Sequence, residues 1–396
     1  MKTADLKKFM ALANKLNVKN PTLAACGYLW YEAGTLTIND LTTTIHMDAD
    51  FGDQPFCIEF KMLNGFLKSV DGNTKIIIKP DGIFVDGQLV SSYSQMADIE
   101  DRPGALLADA KAKQYRFMIQ PNRIIKIAQF AANDELRPVL NCVYYDQVNY
   151  VATDAHILCM EKTTPTTISD FPNCLFPKWM VAMLPKQDVM WLNYFHYDCP
   201  DAAGDGIDWD NSARLFEFEH DKMVITTRGE FGKYPNYMGV VPSEQNNDQS
   251  HRDWCAEDES RVYKPYAERN PFEILYNINR VALKNAVTLA LPSADSVTNA
   301  ARFTFYENQL VILAQDKERE TKSELTIKEN YRGIVHRNLN NFNHLVGFAI
   351  GFNLKFMLKV LNYLDDNAFR VQVQAPNRGT IINDKIILMP VDLNNL

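Results

Sequence analysis

The chain has 396 residues, of which 46% are hydrophobic, with 49 acidic against 41 basic residues and a formal net charge of −8. That length is too great for one core and predicts two or three domains, and the apolar share excludes a disordered chain. No apolar run approaches the roughly 20 residues a membrane span needs, and the negative balance argues against coating nucleic acid by overall charge, since phosphate affinity needs local positive charge.

The first predicted element is an amphipathic helix over Leu6–Leu16. A turn-rich hairpin follows over Gly34–Met47, then a helix over Phe60–Val70. In that helix Phe60, Leu63, Leu67 and Val70 share one side, and Lys61, Asn64 and Lys68 the other. A second hairpin over Lys75–Gly87 alternates Ile76, Ile78, Ile83 and Val85 around the turn Pro80-Asp81-Gly82. The polar stretch Ala97–Lys113 reads as a linker.

The same order then returns. A helix is expected over Asn122–Ala131, a hairpin over Asn149–Lys162, a helix over Lys178–Pro185 and a hairpin over Arg214–Gly229. Pro121 and Pro177 suit first helical turns. Residues 188–213, with Asp198, Asp201, Asp205, Asp208 and Asp210, read as an acidic insertion. A second polar linker covers 243–271. The third copy has a helix over Ile278–Leu289, a hairpin over Asn308–Leu325, a helix over Leu354–Leu364 with Asn353 as its N-cap, and a hairpin over Phe369–Asp384. In its second helix Leu354, Met357, Leu358, Leu361 and Leu364 oppose Lys355, Lys359 and Asn362. Residue identities hardly match between copies, but order and spacing do, as in repeat architectures. The expected fold class is α+β, with domains at 1–115, 116–250 and 251–396, each setting two helices against sheets.

The helices share a charge sign. The stretches Leu6–Lys19, Phe60–Val70, Pro121–Ala132, Pro177–Gln187, Ile278–Ala290 and Asn353–Leu364 contain no Asp or Glu. They carry Lys7, Lys8, Lys15, Lys19, Lys61, Lys68, Arg123, Lys126, Lys178, Lys186, Arg280, Lys284, Lys355 and Lys359. Ordinary solvated helix faces mix signs. One basic surface and an acidic remainder are therefore expected.

Other chemistries find little support. Asp154 and His156 lie two apart on one strand face, but no Ser or Cys sits in a recognisable nucleophile elbow. His196, Cys199, Cys174 and His220 lack zinc-ligand spacing, and the acidic segment lacks the alternating calcium-loop pattern. A phosphate-binding Gly-rich loop of Walker type is missing. No catalytic residue, metal or cofactor is expected. Seven scattered cysteines and the start MKTADLKKFM, without the long apolar core of a signal peptide, predict reduced thiols in the cytoplasm.

Three segments resemble the bacterial DNA polymerase III β subunit family, the sliding clamps, whether bacterial or phage-encoded. Asn133–Met160 (NDELRPVLNCVYYDQVNYVATDAHILCM) is similar to the family's L-R-x-x-L-N-x-V segment followed by V-A-T-D-[GA]-H-[RK]-L. Gly232–Pro242 (GKYPNYMGVVP) resembles G-x-[FY]-P-[DN]-Y-x-x-V-x-P. Gly351–Leu364 (GFNLKFMLKVLNYL) with Ile387–Leu393 (ILMPVDL) resembles the C-terminal G-F-N-x-x-[YF]-[LM]-x-x-[VL]-L and M-P-[VM]-x-L. The order and spacing carry the resemblance over essentially the whole chain.

The resemblance implies three clamp domains closing head to tail into a homodimeric ring, sheets outside and helices lining the hole. Helices packed 8–10 Å apart support two chains: six span about 18 Å between axes, twelve about 36 Å, and the duplex is about 20 Å wide. The third-domain side of the dimer contact is expected near Leu289–Leu291. The implied function is a processivity factor, not an enzyme, that encircles double-stranded DNA without sequence specificity. It would tether the replicative DNA polymerase, the clamp loader and other clamp-binding-motif proteins, away from any membrane. The family's peptide pocket maps onto Leu140, Thr153, Ala155, His156, Ile157, Leu158, Pro235, Val240, Ile387 and Met389. Ala155 stands where many members have Gly, and Ile157 replaces a basic residue expected at the pocket's rim. The competing reading, an extracellular or structural repeat protein binding glycans or proteins, fits the cysteines and acid-free helices poorly.

Overall fold

The six helices that periodicity predicts all form: α1 (Thr3–Ala13), α2 (Phe60–Leu67), α3 (Pro121–Ile127), α4 (Lys178–Met183), α5 (Arg280–Ala290) and α6 (Leu354–Tyr363). They pack in pairs, α1 on α2, α3 on α4 and α5 on α6. The structure is a computed structural model that describes residues 1–94, 97–106, 110–164, 168, 170–201, 206–242, 249, 252–253, 255–256, 274–306, 308–328, 332–335, 348–373 and 377–393. Local chemistry sets the helix ends. Pro121 occupies the first turn of α3, while Pro177 is the residue before α4, its φ of −64° suited to entering the helix. Asn353 accepts from the amides of Lys355 (2.9 Å) and Phe356 (3.1 Å), and Asn279 from that of Ala282 (2.9 Å). Among the described residues, no helix is long and apolar enough to cross a membrane.

The chain packs as two compact units: Met1–Ala128, Glu135–Tyr150 and Lys162–Lys233 form the first, and Gln129–Asp134, Val151–Glu161 and Tyr234–Leu396 the second. In the first, eight antiparallel strands make one sheet. They are β1 (Tyr28–Glu32), β2 (Thr35–Asn39), β3 (Thr43–Asp48), β4 (Phe56–Glu59), β8 (Lys113–Ile119), β13 (Met190–Pro200), β14 (Ile207–His220) and β15 (Met223–Arg228), in the order β4-β1-β2-β3-β15-β14-β13-β8. The first two copies of the repeat fuse at β3 and β15, where Met47 faces Met223 and Thr43 faces Thr227. The Thr43 and Thr227 hydroxyls, both buried, satisfy each other at 2.7 Å.

A small sheet, β5 (Ile76–Lys79), β6 (Gly82–Val85) and β7 (Gln88–Ser92), turns through Pro80 and Asp81, since Lys79 pairs with Gly82. A Cβ on Gly82 would lie 2.8 Å from the carbonyl oxygen of Ser91, so glycine is what lets β7 approach. β9 (Cys142–Tyr145) pairs with β12 (Cys174–Pro177). Phe117 and Tyr145 stack at 5.5 Å inside this unit.

The sequence hairpin Asn149–Lys162 becomes β10 (Asn149–Thr153) and β11 (Ile157–Lys162). The second unit adds β16 (Ile274–Asn279), β17 (Ala300–Phe305), β18 (Leu310–Asp316), β19 (Thr321–Ile327), β20 (Arg332–Val335), β21 (Phe348–Asn353), β22 (Ala368–Val373), β23 (Thr380–Ile382) and β24 (Ile386–Leu388). One sheet runs β19-β18-β17-β21, and another contains the run β11-β24-β23-β22-β16-β20.

The segment 188–213, expected as an acidic insertion, is mostly strand. Met190–His196 form a continuous ladder with Ile119–Lys113 of β8, and β13 pairs with β14 on its other side. Asp198 in β13 and Asp208 and Asp210 in β14 are strand residues, and Asp198 meets Arg214 and His196. Burial would raise the Asp198 carboxyl, but Arg214 and His196 outweigh it and hold it below the usual range. Asp205 and most of the expected 243–271 linker lie outside the described residues.

Because Asn279 caps α5 through its side chain alone, Asn279→Ala should cost about 1 kcal/mol and lower the urea midpoint. Asn279→Ser should recover most of the loss in the same measurement.

Candidate functional site

The basic residues of the first unit lie along α1 to α4 and just past their ends. Lys8, Lys15, Lys19, Lys61, Lys68, Arg123 and Lys186 are exposed, and Lys7, Lys126 and Lys178 half-buried. Several donate to main-chain carbonyls. Lys7 Nζ donates to Val70 (2.5 Å), Lys15 Nζ to Ala182 (2.6 Å) and Arg123 Nη1 to Lys162 (2.7 Å). The acceptors Val70 and Ala182 lie at or just past the C-terminal ends of α2 and α4, where a cation is favoured. Partial burial lowers the Lys15 pKa, and Lys186 beside it lowers it further. Like charges held this close raise the local positive potential. Lys8 is 3.5 Å from Asp221, an exposed pair of small worth.

In the second unit the four basic residues divide. Lys355 is exposed and Lys284 half-buried. Arg280 closes the end of α6, donating to the carbonyls of Asp366 (2.9 Å) and Leu361 (3.2 Å). Lys359 lies 3.3 Å from Asp154 and 5.5 Å from the centre of the Phe130 ring.

Four of the predicted pocket residues, Thr153, Ala155, His156 and Ile157, make or flank the turn between β10 and β11. Asp154 Oδ1 accepts from the amides of His156 and Ile157, each at 3.0 Å. Thr153 Oγ1 accepts from Ala155 N (3.1 Å) and donates to the Ile157 carbonyl (2.8 Å). These bonds hold Ala155 at φ 75°, a conformation that favours glycine. The Asp154 carboxylate is thus committed to the turn and to Lys359, and the His156 ring stacks on Phe356 at 5.5 Å. Both have structural employment, so their spacing needs no catalytic explanation.

β11 pairs with β24, Leu158 opposite Ile387, and the His156 carbonyl accepts from Met389 N at 2.9 Å. Ala155, His156, Pro235, Val240 and Met389 are exposed, the last at 41%. Thr153 is half-buried. Leu158 and Ile387 are buried. Ile157, expected at a rim, is 1% exposed, because its side chain enters the core where β11 pairs with Leu388 of β24. Leu140, also buried, belongs to the first unit, on a short turn of 3-10 helix at Pro138–Asn141.

Around Met389 lies a groove of about 470 Å³ that also involves Asn377, Pro390, Val391, Asp392 and Leu393. None of these five was among the expected pocket residues, although all but Asn377 stand in the quoted C-terminal motif. Gly379 lies against Met389: a Cβ there would sit 3.4 Å from Met389 Sδ and 3.5 Å from Pro242. Among the described residues, no group of three His, Cys, Asp or Glu is placed to hold a metal ion.

No protein-family model matches the chain, and no curated protein matches it. Solved structures do. A DNA polymerase III β sliding clamp from Bartonella birtlesii, solved bound to griselimycin, superposes with TM-score 0.70 at 15% identity, covering 98% of both chains. One from Pseudomonas aeruginosa, also bound to griselimycin, gives 0.71 at 17% over 99% of this chain and 98% of that one. The Borrelia burgdorferi β subunit, in complex with a natural product, gives 0.71 at 15% over 100% and 99%. Along essentially its whole length the chain has the fold of the bacterial DNA polymerase III β sliding clamps.

Proposed function

We propose that the chain is a DNA polymerase processivity factor, a sliding clamp whose two copies close into a ring around duplex DNA. The observation that carries this reading is the conjunction of a full-length clamp fold with basic helices, α1 to α6, whose one acidic residue is Asp5 in the first turn of α1, in a chain of net charge −8. Screened contacts from lysine and arginine to phosphate hold a duplex without reading its sequence, and so permit sliding. The order of the repeat supports three domains, at 1–115, 116–250 and 251–396. The protein works in the cytoplasm as a scaffold rather than an enzyme.

Two unprotected strand edges support the dimer. β7 is the outer strand of its sheet, with Leu89 56% and Val90 50% exposed. β19 is likewise an outer strand, and Leu289 of α5, the helix that packs against it, is 65% exposed. Exposed apolar edges are places where another chain adds. A head-to-tail dimer would cover the first with the third domain of the partner.

The exposed apolar residues Met389 and Val240, with the groove beside Met389, are suited to a short hydrophobic peptide. Polymerase, clamp loader and other partners carrying such a segment would compete for it. Tethering then raises the polymerase's effective concentration at the primer end.

Light scattering at micromolar protein should give about twice 45.3 kDa; a monomer at every accessible concentration contradicts the ring. Reversing Lys15, Lys126 and Lys284 to Glu should weaken retention on DNA of any sequence with the fold intact by circular dichroism, and unchanged retention would show that the helices do not face the duplex. Burying an anchor such as Leu or Phe contributes roughly 1.5–3 kcal/mol. Met389→Ala should therefore weaken a fluorescein-labelled peptide ending in Leu-Phe by about tenfold in an anisotropy titration, while the dimer persists. Wild-type affinity in that variant would remove the pocket.

A further inference from the structure

We infer that Lys359 is a positioning residue for the Thr153–Ile157 turn rather than one of the DNA-facing cations, an inference about pocket function that rests on the peptide-pocket reading above. The amine lies 3.3 Å from Asp154 Oδ2, and the two side chains are only 24% and 16% exposed. It also sits over the Phe130 ring. To meet a phosphate it would have to leave both a carboxylate and an aromatic face. Lys355, one turn earlier on α6, is exposed and free to face a duplex.

The pair matters because of what Asp154 does with its other oxygen. Oδ1 holds the amides of His156 and Ile157 and so sets the turn in which Ala155 takes its left-handed conformation. Phe356, three residues before Lys359 on the same side of α6, stacks on the His156 ring. The carbonyl of His156 in turn holds Met389 N. A displacement of Asp154 is thereby passed through His156 to Met389, the exposed residue beside the groove. An ion pair this sheltered is screened less than a surface pair.

Two readouts separate the turn from the pocket. Amide hydrogen exchange at His156 and Ile157 reports the turn, and anisotropy of the fluorescein-labelled Leu-Phe peptide reports the pocket. Lys359→Met should speed exchange and weaken the peptide, each by about threefold or more, with retention on DNA unchanged. Asp154→Asn, which keeps the Oδ1 acceptor and loses the charge, should do the same. The double variant should be no worse than the worse single one. Lys359→Arg should restore both readouts to within about twofold. Lys355→Met should leave both alone and lower retention on DNA. Unchanged exchange and affinity in Lys359→Met would overturn the proposal, as would faster exchange with wild-type affinity. If exchange quickens but the wild-type protein takes no peptide, the positioning role stands and the pocket reading fails.

Discussion

Each helix in this chain has to bury one face and leave another in water, and the exposed faces carry the positive charge. α6 shows the division: Leu354, Met357, Val360, Leu361 and Tyr363 are buried while Lys355 and Asn362 remain outside. Burial fixes where the helix sits, and the 3.6-residue period then fixes where its lysines point. The sheets supply the apolar surface against which this happens. With Asp5, in the first turn of α1, as the one acidic residue on α1 to α6, an overall negative protein can still present a positive face.

Local features were legible in the sequence because they depend on neighbours along the chain. The helix period, the Asn353 cap and the Pro80-Asp81 turn are all present as expected. Long-range pairing was not legible. Nothing near Thr43 announces that it will face Thr227, and this pairing is what merges two copies of the repeat into one sheet. In the stretch 188–213 the frequent aspartates hide the strand pattern, yet Leu192 and Tyr194, which precede them, are core residues of β13. Ile157 misled for a related reason: its side of the strand follows from pairing with β24.

The site divides in the same way. The T-D-A-H turn was visible as a motif, and its hydrogen bonds explain the motif: Asp and Thr supply the acceptors that hold Ala155 where glycine is favoured. The partner of Asp154 was not visible, since Lys359 lies 205 residues away and looked like one more member of a basic face. Arg280 was equally hidden in its role at the end of α6. At 15–17% identity to clamps of known structure, the fold persists although few residues are shared; cores accept many apolar side chains if volume and patterning are kept.

The central claim is that the protein is held on DNA by topology. The most direct measurement is its lifetime on a nicked circular duplex, once loaded, before and after a single cut that linearises the circle, in moderate salt. A closed ring predicts long retention on the circle and prompt loss after the cut. Equal lifetimes on the circular and linear forms would contradict it and point to ordinary binding.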